Sequence, residues 1–392
     1  MKFKSVLIYM LLGGALFATS CDKKDDPEPV TGRTVLVYMA ADNNLSNFSY
    51  ENIRDMIKGA EGDYLNNGKL LIYQDSGSNP PRLINIRKGL NGQMEEELIR
   101  EYENRNSVDV EVMRSVFNEV FNNELYKSDS YGLILWSHGT AWLPSDVKNY
   151  LRSYGQDGSN HMEINDLKEA MRGFRFDFII FDDCYMANIE VACALQDNAD
   201  YILASPTEVL APGLPYQHIV KYMFESGGNI QRSMNKIGNT FYSYYNEQLA
   251  GANYPKSAST TLVKTAGIDA LANISRQIVA GKEETILNLS IDNIQQLEYL
   301  RPSTYHALYD FSDFIRQLAT PEEYAAFQTA LRDVVVYYET TDIAYYNYGG
   351  DGITVTIDRP RYCGITSYVP QKDLASLNEW YKILDWYKLV YE

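Results

Sequence analysis

The sequence contains few of the residues that carry metal-binding and redox chemistry, with four cysteines and four histidines among 392 residues. Four cysteines are too few for a disulfide scaffold. The histidines show none of the Cys/His spacing of zinc fingers, which argues against a structural zinc, and no metal site is predicted. A reaction that needs a thiolate and an imidazole must therefore draw on a short list of residues.

Basic residues are also scarce relative to acidic ones, with 35 Lys and Arg against 52 Asp and Glu and a net charge of −17. A field of that sign repels phosphate backbones, which argues against nucleic acid as a partner. The composition, 45% hydrophobic and 22% charged, is that of a packed globular protein. With 392 residues, the chain can bury one large or two modest hydrophobic cores.

The N-terminal apolar run is too short for a comfortable membrane span. Two lysines precede this run, residues 6–18, whose length is typical of a signal-peptide core. It ends in Ala18-Thr19-Ser20-Cys21, which resembles a bacterial lipobox. We therefore interpret residues 1–20 as a lipoprotein signal peptide and Cys21 as the lipidated residue, whose acyl chains hold the exported protein on a membrane. The alternative is a cleaved signal followed by an incidental cysteine.

The stretch after Cys21 is charged and contains prolines, which predicts an extended tether over residues 21–32. Its order of lysines followed by acids resembles the export signal of surface lipoproteins in Bacteroidetes. The resemblance implies attachment to the outer membrane, with display at the cell surface as a further prediction. An ordinary solvated linker is the alternative.

Apolar runs separated by helical periodicity predict an α/β fold. Residues 131–136 and 176–181 are almost continuously apolar, which is typical of strands buried on both faces of a parallel sheet. Runs at 34–40 and 69–75 have the same character, and amphipathic helical patterns lie between them. This alternation predicts a mostly parallel central sheet with helices on both faces.

The second half of the chain has a different pattern, which suggests a boundary near residue 250. We assign residues 33–250 to the α/β domain and residues 251–392 to a C-terminal region with helical and β-like segments that packs on it. The pattern alone leaves open whether this region is instead a separate domain.

Reactive residues follow the two buried strands. The first strand runs into Ser137-His138-Gly139 and the second into Asp182-Asp183-Cys184. The carboxyl ends of neighbouring parallel strands meet at one crevice, so His138 and Cys184 are expected to lie close together. A thiolate and an imidazole suffice for acyl transfer. The alternative is that Cys184 is a small buried hydrophobic residue and His138 a satisfied polar one.

Backbone groups beside these residues complete the predicted chemistry. The N–H groups of Gly139 and Cys184 are candidates for an oxyanion site, because glycine lets a substrate backbone approach closely. A helix that begins just after Cys184 would lower the pKa of the thiol through its dipole.

At these residues the sequence resembles the clostripain family of cysteine peptidases, relatives of caspases, legumain and gingipain. The histidine motif is an apolar strand ending in Trp136-Ser137-His138-Gly139, and the cysteine motif is an apolar strand entering Asp182-Asp183-Cys184-Tyr185-Met186. Residues 37–45, 204–208 and 364–370 are also similar to family motifs. The likeness extends over residues 33–392 and implies a caspase-like three-layer α/β sandwich with extra C-terminal elements.

The resemblance implies roles for individual residues. Cys184 would be the nucleophile and His138 its partner, and Asp182 would line the pocket for the residue before the scissile bond. A carboxylate there selects Arg or Lys. The family has a second acid on the loop after the next strand, where Glu208 is the only acid here. That departure leaves a broader specificity open, and Asp182 has the alternative role of capping the following turn.

Family members are often made as zymogens that cut themselves in a loop after the histidine. The matching insertion contains Lys148 and Arg152, either of which would suit a protease with basic specificity. The segment Asp157-Gly158-Ser159-Asn160 lacks the regular spacing of ligand residues that a calcium-binding loop requires. No cofactor is therefore predicted, although calcium remains possible because it acts on clostripain relatives.

Two functions remain open from the sequence. The leading hypothesis is an exported, lipid-anchored cysteine endopeptidase that acts on proteins or peptides and uses Cys184 and His138. The competing hypothesis is a surface lipoprotein with the same fold that binds peptides or glycans without cleaving them. An abundance of tyrosine, 32 residues, suits a recognition surface. The presence of both reactive residues favours the enzyme, because a pure binder would not need them.

Overall fold

The computed structural model of the chain describes residues 32–144, 154–225, 228–299, 306–347 and 352–392. These described residues belong to one compact unit. Five predicted features lie outside the described residues: the signal peptide at 1–20, the lipidation site Cys21, the tether at 21–32 except for residue 32, and the processing candidates Lys148 and Arg152.

A nine-stranded central sheet and three two-stranded sheets form the β-structure of the described residues. The strands are β1 (Arg33–Ala40), β2 (Lys69–Asp75), β3 (Arg82–Lys88), β4 (Met94–Glu101), β5 (Ser130–Trp136), β6 (Tyr154–Asp157), β7 (Asn160–Met162), β8 (Phe176–Asp182), β9 (Ala199–Ala204), β10 (Ser259–Lys264), β11 (Leu308–Asp310), β12 (Val335–Thr340), β13 (Ile343–Tyr346), β14 (Ile353–Thr356) and β15 (Thr366–Tyr368). The central order is β12-β10-β9-β8-β5-β1-β2-β3-β4.

Strands β2, β1, β5, β8 and β9 form a parallel core, and antiparallel strands extend the sheet at both edges. The core strands are apolar along most of their length because both faces are covered. On β1, Leu36 and Tyr38 face one hydrophobic cluster while Val35 and Val37 face the other. The predicted α/β fold with a large, mostly parallel central sheet is confirmed.

Helices cover both faces of this sheet. They are α1 (Ser46–Gly59), α2 (Val110–Phe121), α3 (Ile164–Ala170), α4 (Ile189–Ala194), α5 (Tyr216–Met223), α6 (Ile230–Asn246), α7 (Ile268–Val279), α8 (Glu283–Leu287), α9 (Phe311–Arg316), α10 (Pro321–Val334), α11 (Ala375–Tyr381) and α12 (Asp385–Tyr391). Helices α1, α5 and α6 contribute buried residues to the cluster on one face, and the remaining helices contribute to the other.

The C-terminal region shares the central sheet. Strands β10 and β12 extend it beyond β9, in antiparallel pairing. Strand β15 lies beside the segment after Cys184, where the Thr366 N–H donates to the Ala187 carbonyl at 3.0 Å. The proposed boundary near residue 250 therefore falls between elements that contribute to one sheet.

Candidate active site

The sheet brings the two predicted reactive residues to the same edge. Strands β5 and β8 are adjacent and parallel, and their last residues, Trp136 and Asp182, are paired in register. The chain leaves both strands at this point, so His138 and Cys184 follow at the same edge. Both residues line one cavity of about 820 Å³. The hydrophobic sheet thus delivers two polar side chains to a common space.

The cavity wall comes from six separated segments of the chain. Its lining includes Asn44, Leu45, Phe48, the 136–140 and 182–185 segments, Glu208, Val209, Leu210, Ala211, Gly213, Asn253, Tyr254, Pro255, Tyr345 and Asn347. The residues after 250 were not identified from the sequence. They stand in no motif and reach the site only through the three-dimensional fold.

Backbone and hydroxyl contacts fix the histidine end of the site. The Ser137 hydroxyl donates to the Ala40 carbonyl at 2.6 Å and accepts the Gln156 N–H at 3.0 Å. The Gly155 N–H donates to the His138 carbonyl at 2.8 Å. Because β1 and the β6–β7 hairpin both hold this segment, the half-buried imidazole projects from a rigid base.

Asn44 is a site residue to which the sequence analysis gave no role. Its Oδ1 lies 2.6 Å from Nε2 of His138. Asn44 stands in the polar turn after β1, and β1 is the neighbour of β5 in the sheet. The signal was therefore present in the sequence, because a polar residue that follows a strand adjacent to the histidine strand is expected at the same edge.

The thiol of Cys184 contacts the backbone of Val209. The Val209 N–H donates to Sγ at 3.3 Å, and Sγ lies 3.7 Å from the Val209 carbonyl oxygen. Burial, followed by the charges of Glu208 and Asp183, holds the pKa of the thiol well above its ordinary value. The thiol is therefore neutral at neutral pH in this arrangement.

The expected helix dipole does not act directly on Cys184. Helix α4 begins at Ile189, with Asn188 as its N-cap, so the helix does not start directly after the cysteine. It is also only six residues long. The condition for a pKa lowered by this helix is therefore not met, and burial and nearby carboxylates hold the pKa of the thiol above its ordinary value.

The predicted oxyanion donors surround the carboxylate of Asp183. The Cys184 N–H donates to Oδ1 of Asp183 at 2.8 Å. A Cβ added to Gly139 would lie 2.4 Å from the same oxygen, so the carboxylate packs directly against the Gly139 backbone. An incoming oxyanion could use the Cys184 N–H only after this carboxylate had moved.

Asp182 lines the cavity, and its carboxylate is engaged by the protein itself. It accepts the Leu214 N–H at 3.1 Å and the Tyr216 hydroxyl at 2.8 Å. Asp182 is only 4% exposed, and burial raises its pKa to about 6. These contacts anchor the loop between β9 and α5. The alternative role left open by the sequence, capping of the turn after β8, does not involve that loop.

Glu208, the second predicted acid, lines the same cavity and is half-buried. Its carboxylate accepts the Asn347 N–H, with oxygen distances of 3.0 and 3.2 Å. Burial raises its pKa to about 7. The two acids therefore line one cavity, Asp182 from the end of β8 and Glu208 from the loop after β9, and Glu208 is the more accessible of them.

In the described ranges, no helix is long and apolar enough to cross a membrane. The same ranges contain no group of three or more His, Cys, Asp and Glu side chains arranged to hold a metal ion.

Comparison with known proteins identifies the family. The family model described as the clostripain family matches residues 37–391. The chain belongs to the clostripain family. It is a cysteine protease of this family, as its solved relatives are. A search of curated proteins gave no match.

Solved structures of clostripain-family proteases resemble the chain over most of its length. An inactive zymogen of a C11 protease from Parabacteroides distasonis is 41% identical, with a TM-score of 0.83, covering 93% of this chain and 99% of the other. A secreted C11 cysteine protease from Bacteroides thetaiotaomicron, in complex with an irreversible peptide inhibitor, is 32% identical with a TM-score of 0.79. The match covers 92% of this chain and 99% of that one.

A third structure is similar over a shorter range. It is a clostripain from Bacteroides thetaiotaomicron in complex with the peptide inhibitor BTN-VLTK-AOMK. It is 25% identical, with a TM-score of 0.50, and the match covers 60% of this chain and 97% of the other.

Proposed function

We propose that this clostripain-family protease is an exported, lipid-anchored endopeptidase in which Cys184 is the nucleophile and His138 the general acid and base. One observation carries the proposal. Cys184 and His138 leave adjacent parallel strands at the same edge and line one cavity, although 46 residues separate them in the sequence. A shared cavity at one sheet edge supports the proposal, because a nucleophile and its base must act in the same space.

The reaction would begin with transfer of the Cys184 proton to the His138 imidazole. The thiolate then attacks the scissile carbonyl, and the imidazolium protonates the departing amine as the C–N bond breaks. A thioester remains on Cys184. Water attacks it with His138 as base, which releases the acid product and restores the thiol.

The raised pKa of the thiol favours coupling of proton transfer to substrate binding. In the resting arrangement, burial and nearby carboxylates stabilise the neutral thiol. A substrate that displaces Asp183 from the Cys184 N–H would remove a negative charge from the thiol and open the oxyanion site together with Gly139.

We propose that Asp182 and Glu208 select a basic residue, Arg or Lys, before the scissile bond. Both carboxylates line the cavity. Glu208 would make the direct contact because it is half-exposed, while Asp182 supplies negative charge. The inhibitor letters VLTK bound by the Bacteroides clostripain end in lysine, which agrees with this proposal.

Maturation and location extend the proposal. Cleavage after Lys148 or Arg152 would activate a precursor, in line with the zymogen state of the Parabacteroides relative. Cys21 would carry the lipid that holds the enzyme on the outer membrane, and a secreted Bacteroides relative supports export. A Cys184→Ala protein should remain uncut, so finding the same two fragments in that variant would contradict self-processing.

A cleavage-site profile on a peptide library tests the proposed function. The purified full-length protein should cut after Arg and Lys, and Cys184→Ala should cut nothing. Cleavage after neutral residues with the same efficiency would overturn the proposed specificity. Cleavage that persists in Cys184→Ala would overturn the proposed nucleophile.

A further inference from the structure

The turn after β1 is braced so that Asn44 has a defined direction. The neighbouring Asn43 donates from Nδ2 to the Ala40 and Gln156 carbonyls, at 3.1 and 2.9 Å. Its Oδ1 accepts the Leu45 N–H at 2.9 Å. One side chain therefore ties the turn to the end of β1, to the β6–β7 hairpin and to the start of α1. Asn44 projects from this fixed turn toward the histidine.

The contact between Asn44 and His138 lies inside the cavity that also contains Cys184. Oδ1 of Asn44 and Nε2 of His138 are 2.6 Å apart, and both residues line the cavity wall. Asn44 is exposed to solvent. A peptide that fills the cavity would remove water from this hydrogen bond, so the contact would be stronger during the reaction than before it.

An amide oxygen can only accept a hydrogen bond. When Oδ1 is the partner, the proton of the neutral imidazole stays on Nε2 and the lone pair is on Nδ1. The imidazolium keeps the same contact, so the ring need not turn between its two protonation states. Since the amide is neutral, it orients the ring without the strong stabilisation of imidazolium that a carboxylate would give.

We propose that Asn44 is a positioning residue for His138, which fixes the tautomer with the proton on Nε2 and directs Nδ1 to exchange the proton of Cys184. The inference rests on the proposed role of His138. It adds a third group to the reaction centre, supplied by the turn after β1 rather than by the segments that follow β5 and β8.

Nitrogen NMR of protein labelled with isotopic histidine tests the tautomer directly. The His138 resonance is assigned by its loss in His138→Gln. The native protein should show His138 with its proton on Nε2 at a pH where the ring is neutral. Asn44→Ala should give a mixture of tautomers. A native tautomer that is unchanged in Asn44→Ala would overturn the proposal.

Kinetics provide a second readout. Asn44→Ala should lower kcat by about tenfold or more with little change in KM, as expected when the partner that orients a functional histidine is lost. Asn44→Asp should retain more activity and move the acidic limb of the pH profile upward by about one unit, because a carboxylate stabilises imidazolium and His138 must be neutral to accept the Cys184 proton. Asn91→Ala, which alters an exposed asparagine outside the cavity, is the matched control and should behave as the native protein.

The outcomes separate this inference from the proposed function. A rise in KM without loss of kcat in Asn44→Ala would assign Asn44 to substrate binding and contradict the inference. A native protein without peptidase activity would contradict the proposed function, whereas the NMR result would still decide whether Asn44 fixes the tautomer.

Discussion

The two ends of the active site are built from opposite kinds of surroundings. His138 projects from a half-buried segment held by neutral groups, including Asn44, Ser137 and the Gly155 amide. Cys184 lies among carboxylates, with Asp183 next to it in the chain and Glu208 on the facing loop. The carboxylates around Cys184 favour a neutral thiol in the resting protein. The neutral contacts around His138 hold the proposed base in place. The carboxylates at the cysteine end are the feature on which the proposed preference for basic residues rests.

The largest expected effect comes from removing either reactive group. Cys184→Ala and His138→Ala should each lower kcat/KM by at least about a thousandfold on a basic peptide substrate, because nucleophilic attack and proton transfer are lost. Cys193→Ala is the matched control, since Cys193 is buried in α4 away from the cavity, and it should keep its activity. The assignment would be contradicted if Cys193→Ala lost its activity while Cys184→Ala and His138→Ala kept theirs.

Glu208→Gln separates charge from shape at the cysteine end. The variant should lower kcat/KM for Arg and Lys substrates by about tenfold to a hundredfold, because a charge-assisted contact becomes a neutral one. The glutamine oxygen can still accept the Asn347 N–H, so the free energy of unfolding should stay nearly constant. Peptide kinetics and a urea titration measure the two quantities. An unchanged preference for basic residues would remove Glu208 from the specificity pocket.

Asp182→Asn should act on stability as well as on activity. An amide NH2 would face the Leu214 N–H or the Tyr216 hydroxyl, which are both donors to the buried carboxylate. We expect a loss of about 1–3 kcal/mol in the free energy of unfolding, the usual effect of an unsatisfied buried polar group. A urea titration beside Glu208→Gln provides the comparison. Equal stability of the two variants would contradict the structural difference between these acids.

Asp183→Asn should make the thiol more reactive. The change removes a charge that raises the pKa of Cys184, while the amide oxygen can still accept the Cys184 N–H. The pH profile of alkylation by iodoacetamide should therefore shift to lower pH, by about one unit at most. Mass spectrometry follows the rate at Cys184. A shift to higher pH would mean that Asp183 assists formation of the thiolate.

The smallest effect concerns the buried Glu190, which follows Cys184 and accepts the Ser367 hydroxyl and the Tyr368 N–H. Burial raises its pKa to about 7. The folded state therefore favours the protonated acid, whose contribution is complete below about pH 4.5 and is lost as pH rises through about 7. Glu190→Gln should flatten the fall in Tm between these limits, as measured by thermal unfolding. An equally steep fall would contradict the assignment.

The sequence predicted the strands and the convergence of the two reactive residues because long apolar runs determine which strands are buried together. It also placed Asp182 and Glu208 near the site, through the family resemblance. It did not predict β4, whose Met94–Glu101 sequence is dominated by acids on an exposed edge. Tyr345 and Asn347 were missed because no local pattern reveals which distant loops close over a cavity.

Local electrostatics were the least predictable part of the site. The expected depression of the thiol pKa depended on where α4 begins, and the helix begins at Ile189 rather than beside Cys184. Asp183 was visible in the cysteine motif, but its contact with the Cys184 N–H depends on side-chain geometry. Such contacts follow from packing around the strand ends, which periodicity alone does not describe.

Covalent labelling tests the pairing of Cys184 and His138 most directly. The native protein is incubated with a lysine-directed acyloxymethyl ketone, and peptide mapping by mass spectrometry locates the adduct. The account predicts a single adduct on Cys184, much slower labelling in His138→Ala and none in Cys184→Ala. An adduct on another residue, or labelling of Cys184 at the native rate without His138, would contradict it.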